Sequence, residues 1–499
     1  MDSFLSALGN PQALTLGFVV LAVGMALAFE FVNGFHDTAN AVATVIYTHT
    51  LKPTQAVVWS GLWNLIGVLT SSGAVAFGIV GLLPVELVLN IGTSAGFAMV
   101  FSVLVSAIVW NVGTWFFGLP ASSSHTLIGS ILGVGLANSL FGSAHSITAG
   151  VNWMKAQEVL LGLLISPVIG FGAAALLFVV LKVMVRSPEL YRAPDGSKPP
   201  PKWIRAILML TCTGVSFAHG SNDGQKGMGL IVLILVGLLP GTYALKMNSN
   251  HEVISGLAAK TGELSRAFAR QAKGMEINGE EAKKELSSFV KPMGKPTAET
   301  MAALSGASAD IHQKLRSVKS FQALSVEQRS EVRTELYLIA QSIRRLEKMG
   351  KLEEVGLGRK DLLVIRKYSE ELTSFIPDWV KYAVALALGL GTMIGYKRIV
   401  KTVGERIGKE HLTYAQGASA ETVAMGTIAV ADAFGLPIST THVLSSGIAG
   451  TMAANNSGLQ MATVRNILMV WVVTLPVCIF MGAFLFAAAL NGLALLGLR

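Results

Sequence analysis

Cysteine and charge are the scarce components of this chain. Its 499 residues include two cysteines, Cys212 and Cys478, and charged side chains make up only 14% of it. A soluble domain usually carries about 25% charged residues. Both cysteines stand in apolar runs, so they offer neither a disulfide framework nor a metal-ligand spacing. No HExxH pattern occurs, which argues against a membrane zinc protease. The first apolar run has no basic stretch before it and no small-residue cleavage site after it, and is read as an uncleaved membrane segment. The net charge of +9 would suit a nucleic-acid binder. The basic residues gather instead in two loops, Lys182 to Arg205 and Lys397 to Lys409. That is the distribution of cytoplasmic loops in a membrane protein, and it excludes nucleic acid as a partner.

Apolar sequence is what the chain has in abundance: 52% of it is hydrophobic and the mean hydropathy is +0.56. Runs of the length that crosses a lipid bilayer, roughly 20 residues, recur near 14–35, 55–82, 96–117, 122–140, 157–185, 203–222, 227–245, 378–396, 413–434, 439–454 and 464–497. They predict an all-α polytopic membrane protein of ten to twelve membrane segments, some of them broken or re-entrant.

The chain also repeats itself. Gly118-Leu-Pro-Ala-Ser-Ser-Ser-His125 returns as Gly435-Leu-Pro-Ile-Ser-Thr-Thr-His442. Upstream, Phe31 to Asn40 matches Phe217 to Lys226, with Asp37 on Asp223 and Gly34 on Gly220. A duplicated membrane chain with interrupted segments and matching polar residues is the pattern of a secondary transporter. The stretch Pro84 to Thr93 has no Lys or Arg, whereas its counterpart Lys397 to Lys409 is basic. That opposite bias predicts inverted repeats. Asp37 and His125 are 88 residues apart, Asp223 and His442 are 219 apart, and the surplus of 131 matches a hydrophilic stretch with helical spacing. The expected organisation is a first repeat over 1–186, a basic linker over 187–202, and the opening of the second repeat over 203–245. A small soluble helical insert follows over 246–376, and the rest of the second repeat over 377–499. The insert is read as a tolerated spacer on the cytoplasmic side.

Asp37 and Asp223 are the first candidates for function, because a carboxylate inside a membrane segment costs about 2.5–3.5 kcal/mol. Each is expected at a helix break, where it could hold a cation or take up a proton; a structural cap or ion pair is the alternative. Ser122, Ser123, Ser124 and Thr126, and again Ser439, Thr440 and Thr441, follow Gly-Leu-Pro. Proline fits the first turn of a helix, which puts these hydroxyls at helix N-termini. There the free N–H groups and the dipole favour an anion. Ordinary N-capping explains one such copy; two copies point to a small oxyanion held between them. His36, His125, His219 and His442 could relay protons or hydrogen-bond to substrate, or be satisfied structural histidines. Lys226 stands where the first copy has Asn40, within helical reach of Asp223, as an ion pair or as an attraction for the anion. Glu421 is a further relay candidate, and Asn64, Asn111, Gln225, Gln416 and Ser419 are other polar residues in apolar runs.

These paired motifs resemble the inorganic phosphate transporter (PiT) family, near its bacterial low-affinity phosphate permeases. The resemblance covers the membrane portion and not the insert. It implies a secondary active phosphate symporter of the inner (plasma) membrane, working by alternating access, with no enzymatic activity and no cofactor. Carried over by position, Asp37 and Asp223 serve the coupling ion. Asn40, Ser123, Ser124, Thr126, Thr440 and Thr441 contact phosphate, and Lys226 joins them by its charge. The chain departs from the family pattern at His36 and Lys226, where asparagine is common. A fixed cation beside Asp223 could replace sodium, so the expected coupling ion is the proton, with phosphate entering as a neutral divalent-metal complex. A sulfate permease of the same fold, an anion channel and a membrane aspartyl enzyme are the rival readings. A homo-oligomer is compatible with all of them.

Overall fold

The computed structural model describes residues 11–83, 93–141, 151–195, 198–290, 294–352 and 357–495. Two compact units emerge: Met1–Leu83 with Ser94–Ile231 and Ile376–Arg499, and Pro84–Thr93 with Val232–Phe375. Both are helical.

The first unit opens with α1 (Pro11–Tyr47), α2 (Pro53–Thr70) and α3 (Ala74–Val80), then α4 (Ser94–Phe116), α5 (Ser123–Phe141), α6 (Trp153–Met184) and α7 (Lys202–Leu238) as far as Ile231. The second unit contains α8 (His251–Gln271), α9 (Gly279–Val290), α10 (Ala298–Leu315), α11 (Val326–Lys348) and α12 (Arg359–Thr373). The first unit resumes with α13 (Asp378–Ile394), α14 (Lys397–Glu405), α15 (Tyr414–Ala433), α16 (Thr440–Ala454) and α17 (Met461–Leu495). A long helix, a bent pair, a helix, a hydroxyl-led helix and a long helix thus follow one another in α1–α6. The same order recurs in α7 and α13–α17. Within this unit α5 lies along α17, α16 along α6, and α13 along α1 and α2.

Among the described residues, four helices are long and apolar enough to cross a membrane: α1 over Leu16–Tyr47, α4 over Ala95–Phe116, α6, and α17 over Met461–Leu493. The pairs α2–α3 and α13–α14 qualify only jointly, bent by 75° and 64°. These are fewer than the ten to twelve segments expected. The runs near 203–222 and 227–245 fall largely in one helix, α7, whose polar centre lowers its hydropathy. The breaks expected at Asp37 and Asp223 are absent as well, since α1 and α7 run through them unbroken. The physical reason is that side chains meet both carboxylates, Ser123 and Thr441 at Asp37 and Lys226 of the same helix at Asp223, so the backbone has no need to open and solvate them. The bends lie instead in the bent pairs.

The second unit packs amphipathic helices: α8 on α10, α9 on α10 and α11, α11 on α12. Leu257, Phe268, Leu286, Phe289, Ile311 and Leu336 are among its core residues. Ser325 starts α11 with a capping box, its Oγ accepting from Gln328 N at 3.2 Å and its N donating to Gln328 Oε1 at 2.9 Å. This pairing satisfies two N–H groups that a helix start otherwise leaves open.

Candidate functional site

The repeated motifs meet at Asp37. Its Oδ2 accepts from Ser123 Oγ at 2.5 Å and its Oδ1 from Thr441 Oγ1 at 2.7 Å. The hydroxyl-led starts of α5 and α16 therefore hold one carboxylate between them. His36 Nδ1 lies 3.1 Å from Asp37 Oδ1, and its Nε2 lies 3.1 Å from Thr114 Oγ1 on α4. From α7, Lys226 Nζ sits 2.6 Å from Asp223 Oδ2 and donates to Ser123 Oγ at 3.2 Å. His219 Nε2 is 3.4 Å from the same Asp223 oxygen. Lys226 and Asp223 are 0% exposed and Asp37 is 3% exposed. Charges so deeply buried persist when they are paired, as Asp223 is with Lys226 and Asp37 with its two hydroxyl donors.

Local geometry explains which hydroxyls reach the centre. Gly118 and Gly435 both adopt positive φ, +68° and +64°, a turn that glycine makes without strain. Each is followed by Leu-Pro and the helix start. Ser122 Oγ then caps α5 by accepting from His125 N at 3.2 Å, and Ser439 Oγ caps α16 by accepting from His442 N at 3.1 Å. N-capping is thus met by the first hydroxyl of each run. Ser123 and Thr441 turn to Asp37. Ser124 donates to Ile438 O at 2.7 Å and Thr126 to Ser122 O at 2.9 Å, so neither hydroxyl engages Asp37. Thr440 Oγ1 is buried without a hydrogen-bond partner among the described residues. The Asn40 side chain lies outside the described residues.

The remaining candidates separate into groups. His125 and His442 face each other, ring centroids 4.5 Å apart, and His442 stacks on Trp471 at 4.0 Å. Glu421 accepts from Thr211 Oγ1 at 2.5 Å, apart from the two aspartates. Sequence reasoning passed over Glu30, fully buried two turns before Asp37 on α1. Its Oε1 accepts from Gly227 N at 2.6 Å and its Oε2 from Asn33 Nδ2 at 3.2 Å. A Cβ on Gly227 would overlap the Glu30 carboxylate, so this approach depends on glycine. A charge inside an apolar run was the available signal for Glu30. Gln225 was noted in the sequence only as a polar residue; it joins Asp432 Oδ1, at 2.7 Å, to the N–H of Val75 at the start of α3, at 2.9 Å.

Single donor atoms of Asp37, His219 and Asp223 lie within 4.8 Å of one another. The Lys226 ammonium already rests against Asp223, and a metal ion beside it would meet a like charge at short range. These residues are therefore not assigned as metal ligands. Two carboxylates, one ammonium, two imidazoles and two converging hydroxyls can exchange protons and hold a small anion.

Comparison with known proteins follows the same line. Residues 33–482 match the model of the phosphate transporter family. The chain is 40% identical to the low-affinity inorganic phosphate transporter PitB of Escherichia coli K12, over 95% of this chain and 97% of that one. PitA of the same strain is also 40% identical, over the same shares. A solved structure titled the sodium-dependent phosphate transporter has 17% identity and a TM-score of 0.49, covering 94% of this chain and 98% of that one, too remote to bear on the coupling ion. A family match across most of the chain, together with relatives at this identity, shows that the protein belongs to the phosphate transporter family.

Proposed function

We propose that this protein imports inorganic phosphate across the inner membrane by proton symport, with alternating access between two inverted repeats. The supporting observation is the double grip on Asp37: Ser123 and Thr441, from corresponding helix starts in the two halves, donate to one carboxylate, and Lys226 donates to Ser123. Helix starts of this kind favour an anion, and here the anion they hold is Asp37. Phosphate takes over these donors when Asp37 releases them. Ser123, Thr441 and Lys226 are then phosphate contacts, with Asn40, Ser124, Thr126 and Thr440 around them, and Asp37 and Asp223 serve the coupling ion. Phosphate is preferred to sulfate because PitA and PitB are named inorganic phosphate transporters. The proton is preferred to sodium because the Lys226 ammonium already fills the cation position at Asp223. Two carboxylates against one ammonium leave the centre negative, so phosphate enters most readily with protons or as a neutral complex with a divalent cation. Residues 246–376 are read as a soluble helical insert in the cytoplasm.

The test is radiolabelled phosphate uptake in proteoliposomes under imposed proton or sodium gradients, with and without magnesium. Accumulation should follow the proton gradient and be lost in Asp223→Asn. Accumulation driven by sodium alone would refute proton coupling, and sulfate competing on equal terms would refute phosphate selectivity.

A further inference from the structure

The contacts of His219 restrict where its protons sit. Asn64 on α2 presents its amide to three groups. Asn64 Nδ2 lies 3.0 Å from Ser60 O and 3.3 Å from Ser60 Oγ. A carbonyl oxygen only accepts, so the nitrogen of the amide faces Ser60 and its oxygen faces His219. Asn64 Oδ1 is 2.6 Å from His219 Nδ1, and two acceptors do not approach so closely; His219 Nδ1 therefore carries a hydrogen. In a neutral imidazole the other nitrogen is then a bare lone pair. That nitrogen, Nε2, is the one 3.4 Å from Asp223 Oδ2, with Asp37 in the same cluster. A lone pair turned toward carboxylates is repulsive. The contact becomes favourable when one more proton lies between His219 and the carboxylates.

His36 differs. The Thr114 hydroxyl hydrogen lies toward Trp110 O at 3.0 Å and Asn111 O at 3.1 Å, and a rotation about one bond turns it to His36 Nε2, which lets neutral His36 donate from Nδ1 to Asp37. Asn64 allows His219 no such choice.

We infer that Asn64 is a positioning residue that fixes the tautomer of His219 and so makes the His219–Asp223 couple the seat of one exchangeable coupling proton. This deepens the proton-symport reading and rests on it. The charge around the couple agrees. On α7, Asp223 and Lys226 face His219. From α1 come Asp37 and His36, with Glu30 further along. The His125–His442 pair stands at the starts of α5 and α16, and Glu421 on α15 is bonded to Thr211. An imidazolium at His219 with the Lys226 ammonium balances Asp37 and Asp223, which removes the net negative charge an incoming phosphate would meet. Proton and phosphate then bind cooperatively, each raising the affinity of the other by the same factor.

The experiment measures the phosphate accumulation ratio in proteoliposomes against the size of an imposed pH gradient, for the parent, Asn64→Leu, Asn64→Asp and His219→Gln. In Asn64→Leu the imidazole is free to move its hydrogen to Nε2 and donate to Asp223 while neutral, so the extra proton is not needed. Its accumulation ratio should fall about tenfold for each imposed pH unit, the loss of one coupled proton, since about 1.4 kcal/mol is a factor of ten. Asn64→Asp keeps the acceptor and should retain the parent slope, whereas His219→Gln should lose it. A merely structural role would lower the rate of uptake and leave the slope alone. If Asn64→Leu does not fold, the contrast between Asn64→Asp and His219→Gln decides. A parent slope preserved in Asn64→Leu overturns the role of Asn64, and one preserved in His219→Gln overturns the His219–Asp223 seat; either leaves proton coupling standing. A parent with no dependence on the proton gradient overturns both together with proton coupling.

Discussion

Ser123→Ala is the most direct perturbation of the centre, because Ser123 touches both charged partners. Its hydroxyl donates to Asp37 at 2.5 Å and accepts from Lys226 at 3.2 Å. Short hydrogen bonds to ionised groups are the strong ones, and losing such a bond costs about 1.5–3 kcal/mol. The alanine withdraws the donor to Asp37 Oδ2 and the acceptor of one Lys226 hydrogen. Thr441 still holds Asp37 Oδ1, so the carboxylate stays anchored at one oxygen. The expected loss is therefore the single bond and not the whole site, about 10- to 100-fold in kcat/KM for phosphate uptake. Ser123→Thr keeps the hydroxyl and should recover most of it. The assay is initial-rate uptake at graded phosphate, corrected for protein in the vesicles. An alanine variant within twofold of the parent would refute the argument, since it would mean that the contact between α5 and Asp37 plays no part in transport.

Two further predictions concern other parts of the molecule. Gly227→Ala should cost about 1–3 kcal/mol, because its methyl group meets the Glu30 carboxylate; thermal unfolding in detergent should show the loss, and adding Glu30→Ala should restore part of it. In the second unit, burial first and then the neighbouring Asp310 push the Glu335 carboxyl up to about 8. Folding then binds a proton that the unfolded chain releases near its ordinary carboxylate range, so stability is full below about 4.5 and falls as pH rises toward 8. Hydrogen exchange of α11 in the full chain should speed up over that window in the parent beyond its intrinsic pH dependence, and Glu335→Gln should remove the excess.

The centre was legible in the sequence to the extent that the repeat marks it. Asp37, Ser123 and Thr441 all sit in motifs written twice, and the structure brings all three together. Glu30 was not legible, because the residue matching it in the second half is Ser216, and a search guided by the repeat passes over an unmatched charge. Choosing among neighbouring hydroxyls was beyond the sequence for a different reason. One residue along a helix turns the side chain by about 100°, so Ser123 faces Asp37 while Ser124 faces a carbonyl, and only the start of α5 fixes that phase. The continuous helices at Asp37 and Asp223 were also hidden. Gly-Phe-His-Asp and Ser-Asn-Asp-Gly suggest breaks locally, but whether a helix opens depends on partners that lie far away in sequence, among them Asn64, Thr114 and Ser123.

The two halves are alike in motif and unlike in charge, and that difference gives the site a direction. Asp223 has a permanent cation beside it in Lys226, whereas Asp37 is held by two neutral hydroxyls and a histidine. Hydroxyl donors can be surrendered to a phosphate oxygen without separating an ion pair, while pulling Asp223 from Lys226 would leave a buried charge alone at a cost of about 3–5 kcal/mol. On the proposed mechanism Asp37 is therefore the group that yields its donors when substrate arrives, and Asp223 stays fixed. Asp37→Asn, which removes the internal anion and keeps the shape, should then weaken the dependence of uptake on the proton gradient less than Asp223→Asn does. The reverse order would mean that the yielding carboxylate is the one beside lysine.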